Sequence, residues 1–420
     1  MIVRKLFVAG LAFVLVACQD QSSPTPGEPV TITVQVSGER EETAVYRAAA
    51  RAFENDNPDI TVEPVEIAEK DDHLTRLATS FSAGVPPDVF LVNFREYTQF
   101  VSLGGVEPLD DYLDDVGIDL ANYYPAPVEA FTFDGALQCM PQNASNLAVY
   151  FNTDLFAEAG IDPPFDGWSW EGFRSIGEQL TKGDVRGIGI EPSIIRLAPF
   201  VWSNGGEVVD DLESPTTFTL DDPSSREALE FLVGLVKDGL VPTEREIAAQ
   251  DLETRFSTGK LAMLLSSRRD TPAFREVRDL NFDVLPLPQA GEPANILHSD
   301  GYCIAAQSDA KEAAARFIGF VVGSQGQTIT ALGGRTVPSL MSIAQSPAFL
   351  DPSQEPAHSQ VFLDAVPHLR RTPVLPNWPE IEDVAEEILT RAFYEPGFSI
   401  DNAIELLKTE TEPLFKEASV

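Results

Sequence analysis

Positive charge is scarce in this 420-residue chain: 29 Lys and Arg stand against 66 Asp and Glu, a formal net charge of −37. A nucleic-acid partner needs a basic surface, so this balance excludes one. It also excludes broad electrostatic adhesion to anionic lipid. The acid is spread along the chain rather than gathered into a tail, which makes it a solvated surface. The four histidines, His73, His298, His358 and His368, show no metal-ligand spacing. The chain has no P-loop, no His-Glu-x-x-His helix, no Gly-x-Ser-x-Gly elbow and no repeat of fixed period. "GWSWEG" comes close to the elbow but lacks the second glycine at the right place. Adjacent carboxylates such as Asp110-Asp111 and Asp221-Asp222 belong to any solvated face of so acidic a chain, and argue poorly for a glycosidase pair. No catalysis, metal or cofactor is expected.

Long apolar runs are also missing beyond the first residues. Arg4 and Lys5 precede an apolar run over 6–17, shorter than the ~20 residues a membrane span needs. A charged start, a short apolar core and small residues before a cut are the marks of a secretory signal peptide over 1–17. Leu15-Val16-Ala17-Cys18 resembles the lipobox of bacterial lipoproteins, which makes Cys18 a lipid anchor. The polar, Ser- and Pro-containing stretch 18–28 reads as a flexible tether. The expected location is therefore outside the cytoplasm, on the periplasmic or extracellular face, with the membrane reached only through lipid.

What remains is too long for one hydrophobic core, so two domains are expected. Residues 30–36 alternate apolar and polar, a strand ending at Ser37-Gly38. Val45, Ala48, Ala49, Ala52 and Phe53 recur at helical spacing until Asn57-Pro58. A strand over 60–67, a helix over 74–81 and a buried strand over 89–92 follow, an alternation that marks an α/β layer fold. The same grammar returns with strands at 147–151, 261–265 and 302–306, and with helices over 173–180, 226–237 and 310–322. The last hundred residues are mainly helical, broken by prolines. Cys139 and Cys303 are, for an exported chain, either a disulfide or two buried thiols.

Several segments, in order, resemble the extracellular solute-binding proteins of carbohydrate ABC importers, the maltose-binding type. They are "AFENDNPDITVEPVEI", "FSAGVPPDVFLVN", "GGVEPLDDYL", "LAVYFNTDLFAEAGIDPP", "WSNGGEVVD", "FSTGKLAMLLSS" and "GYCIAAQSDAKEAAARFIGFVVGSQGQ". The resemblance implies a two-lobed periplasmic-binding-protein-like fold of class II, two α/β domains joined by hinge strands. Lobe one would hold 29–141 plus 304–342, and lobe two 142–303 plus 343–420. It places Cys139 and Cys303 at neighbouring hinge crossings, which favours the disulfide. It further implies a sugar, mono- or oligosaccharide, held in the interlobe cleft and passed to ABC permease transmembrane subunits by a monomer.

A sugar site needs aromatic rings under the apolar ring faces, and planar polar groups that reach adjacent hydroxyls. Strand ends and cleft-facing loops supply Ser37, Glu39, Asn93 and Asn143, with Arg95 and Ser145 beside them. The resemblance adds Trp202 and Asn204, Arg335, Trp378, and Asp300 with Tyr302. Arg268 and Arg269 depart from the family pattern. Arginines near the cleft of so acidic a chain suit a carboxylate or phosphate, or else pair with the protein's own acids. A neutral sugar is set ahead of a phosphorylated or acidic sugar derivative, such as a glycerol phosphate. A secreted glycan hydrolase and a sensor lipoprotein are the rivals of other classes.

Overall fold

The computed structural model describes residues 29–38 and 40–418. Glu39, the leader, the tether before residue 29 and Cys18 lie outside the described residues. The strands that matter here are β1 (Val30–Ser37), β2 (Ile60–Ile67), β3 (Val89–Asn93), β4 (Val106–Glu107), β5 (Cys139–Pro141), β6 (Leu147–Asn152), β7 (Arg186–Gly189), β8 (Leu261–Ser267), β9 (Phe282–Leu285) and β10 (Asp300–Ala305). The helices are α1 (Arg40–Asp56), α2 (Lys70–Ser82), α3 (Trp170–Leu180), α4 (Ile194–Ser203), α5 (Pro223–Lys237), α6 (Lys311–Val322), α7 (Ser324–Leu332), α8 (Trp378–Tyr394) and α9 (Ile400–Ala418).

These strands form two sheets. The first runs β2-β1-β3-β10-β4, with β5 also paired to β10. Its β1 is parallel to β2 and β3, while β10 runs antiparallel to β3, β4 and β5. The second runs β9-β6-β8-β7, with β6 antiparallel to β8 and β9. Every residue of β6 and β8 is buried, as expected of strands covered on both faces. One core packs on the first sheet, around Phe53, Phe90, Tyr97, Phe131 and Phe317. A second, on the other sheet, gathers Phe173, Phe200, Trp378 and Phe415. A third lies between β6, the segment after β8, and the stretch around 331–363, and contains Tyr150, Phe274, Val337 and Phe362.

Helix starts follow local chemistry. The Asn152 side chain accepts from Leu155 N at 3.0 Å, Ser169 caps α3, and Asp222 precedes Pro223 at the start of α5. Helix α4 and strands β7 and β9 were not anticipated from the sequence. Pro199 sits inside α4, where a proline normally argues against a helix. β7 and β9 have four residues each, too few for a periodicity to register.

Three segments run side by side where the chain passes between the sheets. His298 N donates to Ser145 O at 2.7 Å, Ala144 N to Val337 O at 2.9 Å, and Gln142 N to Asp300 O at 2.7 Å. Side chains reinforce this belt: Asp300 N donates to Asn143 Oδ1 at 2.7 Å, Ser299 Oγ to Asn143 O at 2.6 Å, and Val337 N to Ser145 Oγ at 3.1 Å. Asn143 and Ser145 therefore hold the crossing together as well as facing the space above it. Cys139 and Cys303 stand opposite one another in the β5–β10 ladder, Cα atoms 4.3 Å apart, and are joined as a disulfide. Both cysteines belong to the first sheet, so the bond staples exit to return within one layer.

Candidate functional site

A cleft of about 360 Å³ opens above the belt. The carboxyl ends of β1 and β3 bring Ser37 and Asn93 to it, where open α/β sheets present their binding groups. The first residue of β10, Asp300, completes that edge. Helix α1 contributes Glu42 and Tyr46, and α2 contributes Lys70 and His73. From the second sheet come Arg196 on α4 and Ser267 at the end of β8, followed by Arg269. The belt supplies Asn143, Ser145, His298 and Thr336, with Arg335 adjoining. The walls thus come from both layers.

The polar groups are mutually organised. Asn93 Nδ2 donates to Asp300 Oδ1 at 3.0 Å, and Asn93 Oδ1 accepts from Arg95 Nε at 3.1 Å. Arg95 also pairs with Glu382 of α8 at 2.7 Å, a bond that reaches from the end of β3 to a helix packed in the second core. Arg335 pairs with Glu42 at 2.6 Å, Arg196 with Glu191 at 2.9 Å, and Lys70 with Glu96. Gly38, at φ +149°, lies so close to Glu42 that an added Cβ would overlap the carboxylate. Burial pushes the Glu42 carboxyl above the usual carboxylate range, against the pull of Arg335. Burial also lowers His298 well below the ordinary imidazole value, and the cations of Arg196, Arg95, Arg269 and Lys70 lower it further.

Eight of the residues singled out by sequence meet here: Ser37, Asn93, Arg95, Asn143, Ser145, Arg269, Asp300 and Arg335. Five others do not. Trp378 is fully buried, its ring tilted against those of Phe218 and Phe415, because it begins the apolar stripe of α8 that continues through Ile381, Ala385 and Ile388. Trp202 packs in the second core with Arg370 over its ring at 4.7 Å. Asn204 ties the end of α4 to α5, donating to Ser224 O at 2.9 Å and to Glu227 at 3.0 Å. Arg268 is buried under Phe349 at 4.3 Å and donates to Ser359 Oγ at 3.0 Å; burial draws its pKa down to about 10. Tyr302 lies two residues into β10, beneath the strand end. It packs in the first core against Phe317, its hydroxyl accepting from Gln142 at 3.1 Å. The sequence reading missed Glu42, Tyr46, Lys70, Glu96, Arg196 and His298. Arg196 had a readable signal: it is the one charge in the apolar run "IIRLAPFVW".

Two α/β layers joined by crossing segments, with a polar cleft built from both, define a two-lobed ligand-binding protein. Over residues 48–357 the chain matches the family model for bacterial extracellular solute-binding proteins, and it belongs to that family. It is 26% identical to a putative binding protein of Brucella abortus, across 94% of this chain and 95% of that one. A diacetylchitobiose-binding protein of Streptomyces coelicolor is 22% identical, across 75% and 73% of the two chains. Among solved structures, an ABC substrate-binding protein from Listeria monocytogenes in complex with cycloalternan superposes with a TM-score of 0.84. It is 24% identical, with 93% of this chain and 99% of that one covered. Among the described residues no helix is long and apolar enough to cross a membrane.

Proposed function

We propose that the protein is the substrate-binding component of an ABC importer, and that it captures a sugar between its lobes for delivery to a membrane permease. The observation that carries this reading is the cleft itself. Hydrogen-bonding side chains converge on it from both sheets, over a belt of three segments. A ligand touching both walls stabilises the closed arrangement by its preference for that arrangement over the open one. A relative that binds diacetylchitobiose and a structural neighbour in complex with cycloalternan support carbohydrate as the cargo. Lobe one is then the body built on the first sheet, lobe two the body built on the second, and the belt is the hinge.

The protein acts on its cargo without altering it, as a monomer held to the membrane by lipid on Cys18. The decisive experiment is a thermal-shift screen of the purified protein against mono- and oligosaccharides. A ligand at ~100 times its dissociation constant adds about 2.7 kcal/mol of stability. A flat response across the panel overturns the reading, and so does cargo recovered in cleaved form.

A further inference from the structure

The cleft walls hold an unusual share of the chain's few cations. Among the described residues that line it are Lys70, Arg95, Arg196, Arg269 and Arg335, in a protein with 29 basic residues over its whole length. Three of these are held from behind. The acids that pair with Arg95, Arg196 and Arg269 are Glu382, Glu191, and Glu253 with Asp270, none of which lines the cleft. Each guanidinium is thereby fixed in place with donors to spare, since one or two carboxylates, with Asn93 Oδ1 added at Arg95, do not use all five N–H groups. Arg196 is the clearest case. Its side chain is 3% exposed, and Nε and Nη1 are buried with no partner. Leaving charged donors unpaired is costly, so a site that does so is built for something that completes it. His298 Nε2 is likewise buried and without a partner on the same floor.

Aromatic surface is what the cleft lacks. Tyr46 is the only Phe, Tyr or Trp among the described lining residues, and its hydroxyl is engaged with Glu42 at 2.8 Å. A neutral sugar read through its ring faces would find almost no platform here. An anionic group placed between Arg196, Arg95 and Arg269 would take charge-assisted hydrogen bonds from planar forks, the geometry that suits carboxylate and phosphate.

Resting on the sugar-capture reading above, we infer that the cargo is an acidic carbohydrate, its carboxylate or phosphate seated on Arg196 with Arg95 and Arg269, and its hydroxyls turned toward Asn93, Asn143 and Asp300. The acids paired with Arg95, Arg196 and Arg269 hold these three cations from outside the cleft, while Glu42 and Glu96, which line it, are themselves engaged by Arg335 and Lys70.

Calorimetry on the purified protein tests this with matched pairs: glucose and galactose against glucuronate and galacturonate, and against glucose 1-phosphate and glucose 6-phosphate. Inorganic phosphate is a separate arm. The expected result is binding of one acidic class, with its neutral parent at least about 30-fold weaker, and affinity that falls as salt rises. The uronate and phosphate arms tell carboxylate from phosphate. Arg196→Gln should remove most of the preference for the acid, with ligand-free melting recorded alongside. Arg269→Gln, on the more exposed side, should weaken the acid less and serves where Arg196→Gln fails to fold. A neutral sugar that binds as tightly as its acid overturns the anion seat and leaves sugar capture standing. So does an acid that binds Arg196→Gln undiminished. Inorganic phosphate binding with every sugar silent overturns sugar capture and keeps the seat; silence in all arms overturns both.

Discussion

The second core and the cleft differ most in their rings. Trp168, Trp170, Trp202 and Trp378 all pack in the second core, with Phe173, Phe200, Phe218 and Phe415 among them. The cleft a few residues away has one tyrosine and a wall of arginines, carboxylates and amides. Large rings have therefore been used for cohesion, and recognition has been left to hydrogen bonds and charge. Ring stacking tolerates many sugars, whereas directed donors and acceptors discriminate strongly because an unmatched buried partner is expensive. The difference predicts a selective binder.

Breaking the aromatic side should give the largest effect. Trp378→Ala empties a fully buried site and should cost about 3–5 kcal/mol in denaturant unfolding. The folded fraction should keep its ligand affinity; a specific loss of affinity would return Trp378 to the cleft. Next comes the staple. Replacing both Cys139 and Cys303 by Ser opens a link across 164 residues, and should cost about 2–5 kcal/mol. Reductant should reproduce the loss in the wild-type protein and leave the double variant unmoved. Since both cysteines lie in the first sheet, ligand affinity should change little.

Much of this was legible in sequence. The alternation of 30–36 and the helical spacing after it placed β1, and Ser37 at its end followed from direction alone. Asn93 emerged for the same reason, since the carboxyl ends of strands are where a sheet presents side chains to a ligand, whereas Asp300, at the amino end of β10, came from the family resemblance. The tryptophans were harder, because one residue type serves both for packing and for stacking. For Trp378 the answer was nonetheless present. Its spacing with Ile381, Ala385 and Ile388 places it on the apolar stripe of a helix. Glu42, Lys70 and Arg196 were hidden for another reason. They reach the cleft from helix starts, whose distance from the strand ends depends on packing between layers and leaves no local pattern. The domain boundaries drawn from sequence also miss a detail. Ala331 and Val337, counted with lobe one, pack in the third core beside Tyr150 and Phe362.

The charged side of the comparison can be sharpened at Arg95 and Glu382. This pair is mostly buried and bridges the two layers, with a hydrogen bond of 2.7 Å. A double-mutant cycle with Arg95→Gln and Glu382→Gln should return a coupling of about 1–2 kcal/mol in ligand-free stability. Additive single effects would mean that the bridge does not form in solution.

The smallest predicted effect is a pH dependence centred on His73. Its Nε2 lies 2.9 Å from Leu91 O and its Nδ1 3.2 Å from Gln35 Nε2. A carbonyl can only accept, so Nε2 carries the proton and Nδ1 accepts from the amide. Protonating Nδ1 would set donor against donor in a buried place. Burial lowers the pKa of His73 below its ordinary 6.5, consistent with that geometry. The sign follows directly: the unfolded chain takes up a proton as pH falls through 6.5, and the folded chain only at lower pH. Stability contributed by neutral His73 is full above 6.5 and declines as pH falls from there toward the lower folded value. His298, also lowered, adds in the same direction. Glu42 and Glu96 are raised by burial and act oppositely, nearer the carboxylate range, so the slope is best read between pH 7.5 and 5.5. Melting curves across that window should flatten in His73→Gln, whose amide can both donate and accept there. An unchanged slope in that variant would mean that His73 is not held neutral by the Gln35 and Leu91 contacts.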